Sequence, residues 1–177
     1  MSSPLVIPIT CEFPPKDSLM QLQHSCSVFP RANKTYRPFA EILLVDDSPG
    51  DVEFTRLALE QTSPAKHLNV VTDGEEAVAF LQKTGAYQTA PRPDLILLDW
   101  RLPKLDGWEV LSVIKEDGGL RSIPVVVLSS CNTEEEISKA YNLRANCFVR
   151  KPVDLQGFID VVRTCEEFWL RIVTLER

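Results

Sequence analysis

The chain has 177 residues, of which 44% are hydrophobic and 25% are charged, and its formal net charge is −6. These proportions are typical of a globular protein, and the negative charge argues against direct DNA binding. Nowhere do 18 apolar residues follow one another, so the sequence predicts no membrane-spanning helix.

Residues 1–38 differ in composition from the rest of the chain. They contain six of the 13 prolines and none of the seven glycines. They carry four basic and two acidic residues, whereas residues 39–177 carry 15 basic and 23 acidic residues. Frequent prolines interrupt the hydrogen bonding of helices and strands. We therefore predict an irregular, mobile N-terminal arm over residues 1–38 and a folded domain over residues 39–177, with an extended C-terminal helix or tail.

From residue 39 onward, short apolar runs alternate with amphipathic segments. The runs are rich in leucine and β-branched residues, as strands buried on both faces are. They cover residues 42–45, 68–72, 95–98, 125–128 and 147–149. Each run is followed by a residue that can cap a helix, namely Ser48 (before Pro49), Asp73, Asp106, Thr133 and Asp154. Five such units predict a doubly wound α/β domain, with a five-stranded parallel sheet and helices on both faces.

Acidic, hydroxyl and amine side chains directly follow four of these strands. Asp46 and Asp47 follow the first strand, Asp99 the third, Ser129 the fourth and Lys151 the fifth. In a parallel sheet these positions meet at one edge. Two carboxylates about 4 Å apart repel by roughly 4 kcal/mol, so three acids together call for a cation, and oxygen ligands suit Mg²⁺. A lysine and a hydroxyl beside the cation can hold phosphoryl oxygens, and one carboxylate can accept the phosphoryl group.

Four segments carry a resemblance to a known family. "ILLVDDSPGD", "PDLILLDWRLPKLDGWEVL", "IPVVVLSS" and "NCFVRKPVD" resemble, in order and spacing, the motifs of two-component response-regulator receiver domains over residues 39 to about 170. The resemblance implies a flavodoxin-like sheet with strand order 2-1-3-4-5. It also implies that Asp99 is the phosphoacceptor, that Asp47 binds Mg²⁺ directly and that Asp46 binds it through water.

The same resemblance assigns further roles. The backbone carbonyl of Arg101 would complete the Mg²⁺ ligands, Ser129 would be the switch hydroxyl, and Lys151 would pair with the phosphoryl charge. Phe148 stands at the position of the switch aromatic residue, and the bond between Lys151 and Pro152 is usually cis in this family. Such a protein is not a classical enzyme, because it catalyses only its own phosphoryl transfer and autodephosphorylation.

A narrower resemblance concerns the segments "FLQKTGAYQTAPRPDLILLD" and "CEEFWLRIVTLER". A long loop before the third strand and an aromatic run after the last helix resemble the stand-alone regulators of phytochrome-type histidine kinases in cyanobacteria and other bacteria. A phytochrome-like sensor kinase is therefore the expected partner. Since Phe168, Trp169 and Leu170 cannot all face inward on one helix, we expect them to form a homodimer or effector surface.

Several residues depart from the usual receiver pattern. Arg101 and Cys131, two residues after the acceptor and the switch serine, stand where the family tunes the lifetime of the acyl phosphate, and we hypothesise that the Arg101 side chain crowds or pairs with the phosphoryl group. Phe148 lacks a tyrosine hydroxyl, so a switch there must work by packing.

Arg144 replaces a common glycine, which suggests that the fourth helix ends differently. The acidic run 134–136 is interpreted as an exposed first helical turn.

The sequence leaves too few residues after the receiver for a DNA-binding module, so we expect signalling through an unknown downstream protein. Five cysteines without a C-x-x-C pair favour reduced thiols and a cytoplasmic location. Two alternatives remain. One is a pseudo-receiver that binds partners without taking phosphate. The other is a Mg²⁺-dependent phosphatase with an aspartate nucleophile, which would place that nucleophile after the first strand with a second acid two residues later.

Overall fold

The computed structural model describes residues 39–61 and 66–173. Its centre is a five-stranded parallel sheet in the order β2-β1-β3-β4-β5. The strands are β1 (Ala40–Val45), β2 (Lys66–Val71), β3 (Leu95–Asp99), β4 (Val125–Ser129) and β5 (Cys147–Arg150). The predicted fold class and strand order are thus confirmed. The predicted N-terminal arm, residues 1–38, lies outside the described residues.

Five helices connect and cover the strands. They are α1 (Pro49–Glu60), α2 (Gly74–Gln82), α3 (Gly107–Glu116), α4 (Glu134–Asn142) and α5 (Leu155–Glu167). The predicted caps precede all five. The side chains of Ser48, Asp73, Thr133 and Asp154 accept a backbone N–H from the first turn, and the Glu109 carboxylate accepts the Asp106 N–H at 3.0 Å. Local polar pairing therefore determines where each helix begins.

Alternate residues of each inner strand belong to two separate cores. Leu43 and Val45 of β1 pack with residues of α2, α3 and α4, whereas Ile42 and Leu44 pack with residues of α1 and α5. All five residues of β3 are buried, and so are all five of β4. Since both faces are covered by helices, these strands read as solid apolar runs, which is why the sequence pattern identified them.

The end of α4 corrects one prediction. Arg144 adopts a left-handed backbone, with φ of 64°, and its N–H bonds the Tyr141 carbonyl at 2.9 Å. The helix thus ends in the usual left-handed geometry despite the missing glycine, at a cost of about 1 kcal/mol. A second expectation is also wrong, since no peptide bond among the described residues is cis. The bond between Lys151 and Pro152 is therefore trans.

The aromatic tail begins directly after α5. Phe168–Ile172 forms a π-helical turn in which the Phe168 and Trp169 rings meet edge to face, with centroids 5.1 Å apart. Trp169 and Leu170 are half-buried against the core beneath α1 and α5. Much of the apolar surface of the tail, from which a partner was predicted, is thus buried against the domain's own core. Across the part of the chain that the structure describes, no helix has the length and apolarity needed to cross a membrane.

Candidate functional site

The three predicted acids meet at the carboxyl end of the sheet. Asp46 and Asp47 follow β1, and Asp99 ends the neighbouring strand β3. One carboxylate oxygen from each lies within 4.8 Å of the others. Asp46 is fully buried, Asp99 is 8% exposed and Asp47 is exposed. Adjacent parallel strands explain the convergence, because their ends share one edge.

Asp46 is the acid that the fold perturbs most. Its Oδ1 accepts the Ser48 N–H at 2.9 Å, and its Oδ2 accepts a proton of Lys151 Nζ at 2.8 Å. Burial nevertheless raises the pKa of Asp46 to about 6, because removing a carboxylate from water outweighs the opposing hydrogen bonds and charge of Lys151. A cation bound beside it would relieve that cost.

Lys151 is the cation that the chain itself supplies. It follows β5, and its backbone N–H donates to the Ser129 carbonyl at 2.8 Å. Its Nζ donates to Asp46 Oδ2, Asp51 Oδ2 and Asp99 Oδ2 at 2.8, 2.8 and 2.9 Å. Burial alone would lower the pKa of Lys151, but the surrounding carboxylates, Asp46 above all, raise it above its usual range. The ammonium is therefore held charged, with each of its three protons bonded.

Asp51 is a site residue that the sequence reasoning missed. It lies in the first turn of α1, three residues after Ser48, where an acid is readily explained by the helix dipole alone. Its carboxylate is one-quarter exposed and lies outside the cluster of three metal-binding candidates. Three carboxylates thus bond a single ammonium, and Asp47 adds a fourth negative charge beside Asp46 and Asp99. This excess of negative charge fits a divalent cation bound by oxygen ligands.

The other predicted residues surround this centre. Ser129 is buried, and its Oγ accepts the Cys131 N–H at 3.2 Å. The half-buried Phe148 meets the Trp100 ring edge-on, with centroids 6.1 Å apart. Cys131 is exposed. Arg101 donates its backbone N–H to Asp99 Oδ1 at 3.3 Å.

The side chain of Arg101 points to α4. Its guanidinium forms an ion pair with Glu136, the third residue of α4. The prediction of an exposed acidic turn is therefore wrong for Glu136, which is buried, and right for Glu134 and Glu135. The sequence held no signal for this, because the pairing joins the loop after β3 to helix α4, 35 residues further along the chain.

Gly107 packs against the backbone of Asp99 and Trp100. Gly107 begins α3, and a Cβ placed on it would lie 2.2 Å from the Asp99 carbonyl oxygen and 2.9 Å from the Trp100 Cα. Its N–H donates to the Trp100 carbonyl at 3.2 Å. Because the contact is with backbone, no side-chain adjustment could make room for a larger residue. Only a glycine at position 107 therefore allows α3 to lie this close to the Asp99 and Trp100 backbone, a requirement that a glycine at the start of a helix does not reveal in sequence.

Comparison with known proteins now identifies the family. The profile described as the response regulator receiver domain matches residues 42–163. The chain belongs to the response regulator receiver domain family. Receiver domains of response regulators are generally signalling modules rather than classical enzymes.

Two cyanobacterial response regulators, one of them matched both as a sequence and as a solved structure, are similar to this chain over most of its length. The response regulator Rcp1 of Synechocystis sp. is 43% identical over 134 residues, which cover 76% of this chain and 91% of Rcp1. The phosphorylated cyanobacterial phytochrome response regulator RcpA is 43% identical with a TM-score of 0.76, and the Mn²⁺-bound form of Rcp1 is 42% identical with a TM-score of 0.75. Each covers 78% of this chain and 99% of its own. The chain is thus related to phytochrome response regulators.

Proposed function

We propose that this receiver domain accepts a phosphoryl group on Asp99 from a sensor histidine kinase, with a divalent cation bound beside it. The observation that carries the proposal is the cluster of Asp46, Asp47 and Asp99, of which Asp46 and Asp99 bond the Lys151 ammonium. Asp99 is the acid at the end of the central strand β3, and Lys151 and the backbone N–H of Arg101 each bond one of its oxygens. No other arrangement in the described residues offers the same chemistry.

The chemical step is a phosphoryl transfer. A carboxylate oxygen of Asp99 forms a bond to phosphorus, and the bond from phosphorus to the donor, the nitrogen of a phosphohistidine or the acyl oxygen of acetyl phosphate, breaks. Lys151 pairs with the transferred oxygens, and its three protons can exchange carboxylate partners for phosphoryl partners. Hydrolysis of the acyl phosphate later returns the free carboxylate. The domain therefore catalyses only its own phosphorylation and dephosphorylation.

The residues present fit Mg²⁺ as the physiological cation. Asp46, Asp47, Asp99 and the carbonyl of Arg101 would hold it, and it would neutralise the charge that the phosphoryl group brings. One relative binds Mn²⁺, whose preference for oxygen ligands is similar. The buried Asp46 and the three carboxylates that share one ammonium supply the physical reason for cation binding in this chain.

Signal output is proposed to pass through protein contacts. Phosphorylation would draw the Ser129 hydroxyl from the Cys131 N–H to the phosphoryl group and repack Phe148, which meets Trp100. The responding surface is the face of α4, β5 and α5, and the exposed parts of Phe168, Trp169 and Leu170 extend it towards a homodimer or effector contact. A phytochrome-type kinase is the proposed partner, because the cyanobacterial phytochrome response regulator RcpA is 43% identical to this chain and is covered over 99% of its length.

One assay distinguishes this function from its alternatives. Wild-type protein incubated with acetyl phosphate and Mg²⁺ is expected to gain the mass of one phosphoryl group, and chelation by EDTA or the isosteric Asp99→Asn substitution is expected to prevent the gain. Intact-protein mass spectrometry measures it. No gain in wild type would favour the pseudo-receiver, and a gain that survives Asp99→Asn would place the acceptor elsewhere. Rapid multiple turnover of small phosphate esters would favour the phosphatase.

A further inference from the structure

The ion pair of Arg101 and Glu136 joins the acceptor loop to α4. The Glu136 side chain is only 10% exposed, whereas that of Arg101 is 70% exposed. One Glu136 oxygen pairs with Arg101, and the other is buried without a hydrogen-bond partner among the described residues. The Thr133 Oγ1 accepts the Glu136 backbone N–H at 3.3 Å, so the Glu136 backbone is held in the capped first turn of α4, and burial restricts its carboxylate. The fixed partner is therefore Glu136, and the partner able to move is Arg101.

Arg101 is also tied to the acceptor. Its backbone N–H donates to Asp99 Oδ1, so its side chain starts beside the carboxylate that would carry the phosphoryl group. A guanidinium has five N–H donors and matches phosphate oxygens as well as it matches a carboxylate. Glu136 and a phosphoryl group on Asp99 would therefore compete for the same side chain.

We propose that Glu136 is a positioning residue that holds Arg101 away from the phosphoryl group on Asp99 and thereby shortens the lifetime of the acyl phosphate. This rests on the proposed phosphorylation of Asp99. In hydrolysis, a water oxygen bonds to phosphorus, the bond between phosphorus and the Asp99 oxygen breaks, and inorganic phosphate and a proton leave. Arg101 approaches from the solvent side, as its exposure requires, so a guanidinium resting on the phosphoryl oxygens obstructs the incoming water. Glu136 keeps that path open.

The test is a double-mutant cycle on the lifetime of the phosphoryl group. Wild type, Glu136→Gln, Arg101→Ala and the double variant are phosphorylated with acetyl phosphate and Mg²⁺, freed of excess reagent and followed by intact mass. Glutamine keeps the shape of Glu136 but weakens the hold on Arg101. We expect Glu136→Gln to lengthen the lifetime about fivefold, equivalent to about 1 kcal/mol in the barrier. In the Arg101→Ala background the same substitution is expected to change nothing.

Glu135→Gln is the matched control, because Glu135 is the exposed neighbour of Glu136 on the same helical turn. It removes an equal charge and is expected to leave the lifetime unchanged, and chemical denaturation verifies that each variant folds. An unchanged or shortened lifetime in Glu136→Gln overturns the inference, as does the same lengthening without Arg101. In those cases phosphorylation of Asp99 still stands. A wild type that never gains a phosphoryl group overturns both proposals.

Discussion

Replacing Asp46 by asparagine is expected to stabilise the protein in EDTA while abolishing divalent-cation binding. The reason is that burial raises the pKa of Asp46 from 3.8 to about 6, so at pH 7 the folded chain holds a charge that is less costly in the unfolded chain. A shift of this size corresponds to about 3 kcal/mol, part of which the desolvation of asparagine offsets. We expect the free energy of unfolding to rise by about 2 kcal/mol in urea denaturation.

The pH dependence of this gain tests its cause. A carboxyl with a raised pKa in the folded state binds its proton more tightly there, so its ionisation destabilises the fold as the pH rises from about 4 through 6. The excess of the free energy of unfolding of Asp46→Asn over that of wild type should therefore decrease as the pH falls from 7 towards 4. Saturating Mg²⁺ should stabilise wild type but not Asp46→Asn. The difference in the free energy of unfolding between the two proteins should therefore become smaller or change sign.

Asp47→Asn is the control for this experiment, because Asp47 belongs to the same carboxylate cluster but is exposed. It should lose cation affinity without the gain in stability, since an exposed carboxylate has little desolvation to relieve. Two results would show that the buried Asp46 charge does not destabilise the folded protein. One is equal unfolding curves for wild type and Asp46→Asn in EDTA at pH 7, and the other is a difference in the free energy of unfolding that does not vary with pH.

Replacing Lys151 by methionine has the opposite effect on stability. The ammonium bonds Asp46, Asp51 and Asp99, and its side chain is only 7% exposed. Removing one member of a buried charge network leaves the others uncompensated, at a cost of about 3 kcal/mol or more. Without its bonds to the phosphoryl oxygens, the rate of phosphorylation by acetyl phosphate is also expected to fall at least about tenfold. Urea denaturation in EDTA and the mass-based assay measure the two effects.

A second lysine–aspartate pair provides the matched comparison. Lys104 Nζ lies 2.6 Å from Asp73 Oδ2, but the Lys104 side chain is 54% exposed. Because solvent screens such a pair, Lys104→Met should lower the free energy of unfolding far less than Lys151→Met does, and it should leave phosphorylation intact. If Lys151→Met were as mild as Lys104→Met, the ammonium would not be what stabilises the cluster.

The sequence was sufficient wherever one local rule determined the outcome. Solid apolar runs identified all five strands, although β1 and β2 each begin two residues earlier than predicted, at Ala40 and Lys66. Capping residues gave the starts of the helices. Topology then brought Asp46, Asp99 and Lys151 together, since the ends of parallel strands share one edge. The centre of the site was predictable for this reason.

What the sequence could not show are contacts made across the fold. The acid at position 51 had a complete local explanation in the first turn of α1, yet its partner Lys151 is 100 residues away. Glu136 likewise belongs to an acidic run that favours exposure, and its ion pair with Arg101, which lies in the loop after β3, cannot be read from that run. Arg144 shows that a backbone preference of about 1 kcal/mol yields to the packing of the whole helix.

The measurement that tests the central claim most directly is the position of the phosphoryl group in the chain. Borohydride reduces an aspartyl phosphate to homoserine, which peptide mass spectrometry locates after treatment with acetyl phosphate and Mg²⁺. We predict that the reduced residue is Asp99 alone, although an oxygen of Asp46 and one of Asp47 lie within 4.8 Å of it. Homoserine at position 46, 47 or 51, or none in protein that has gained phosphoryl mass, would contradict the account.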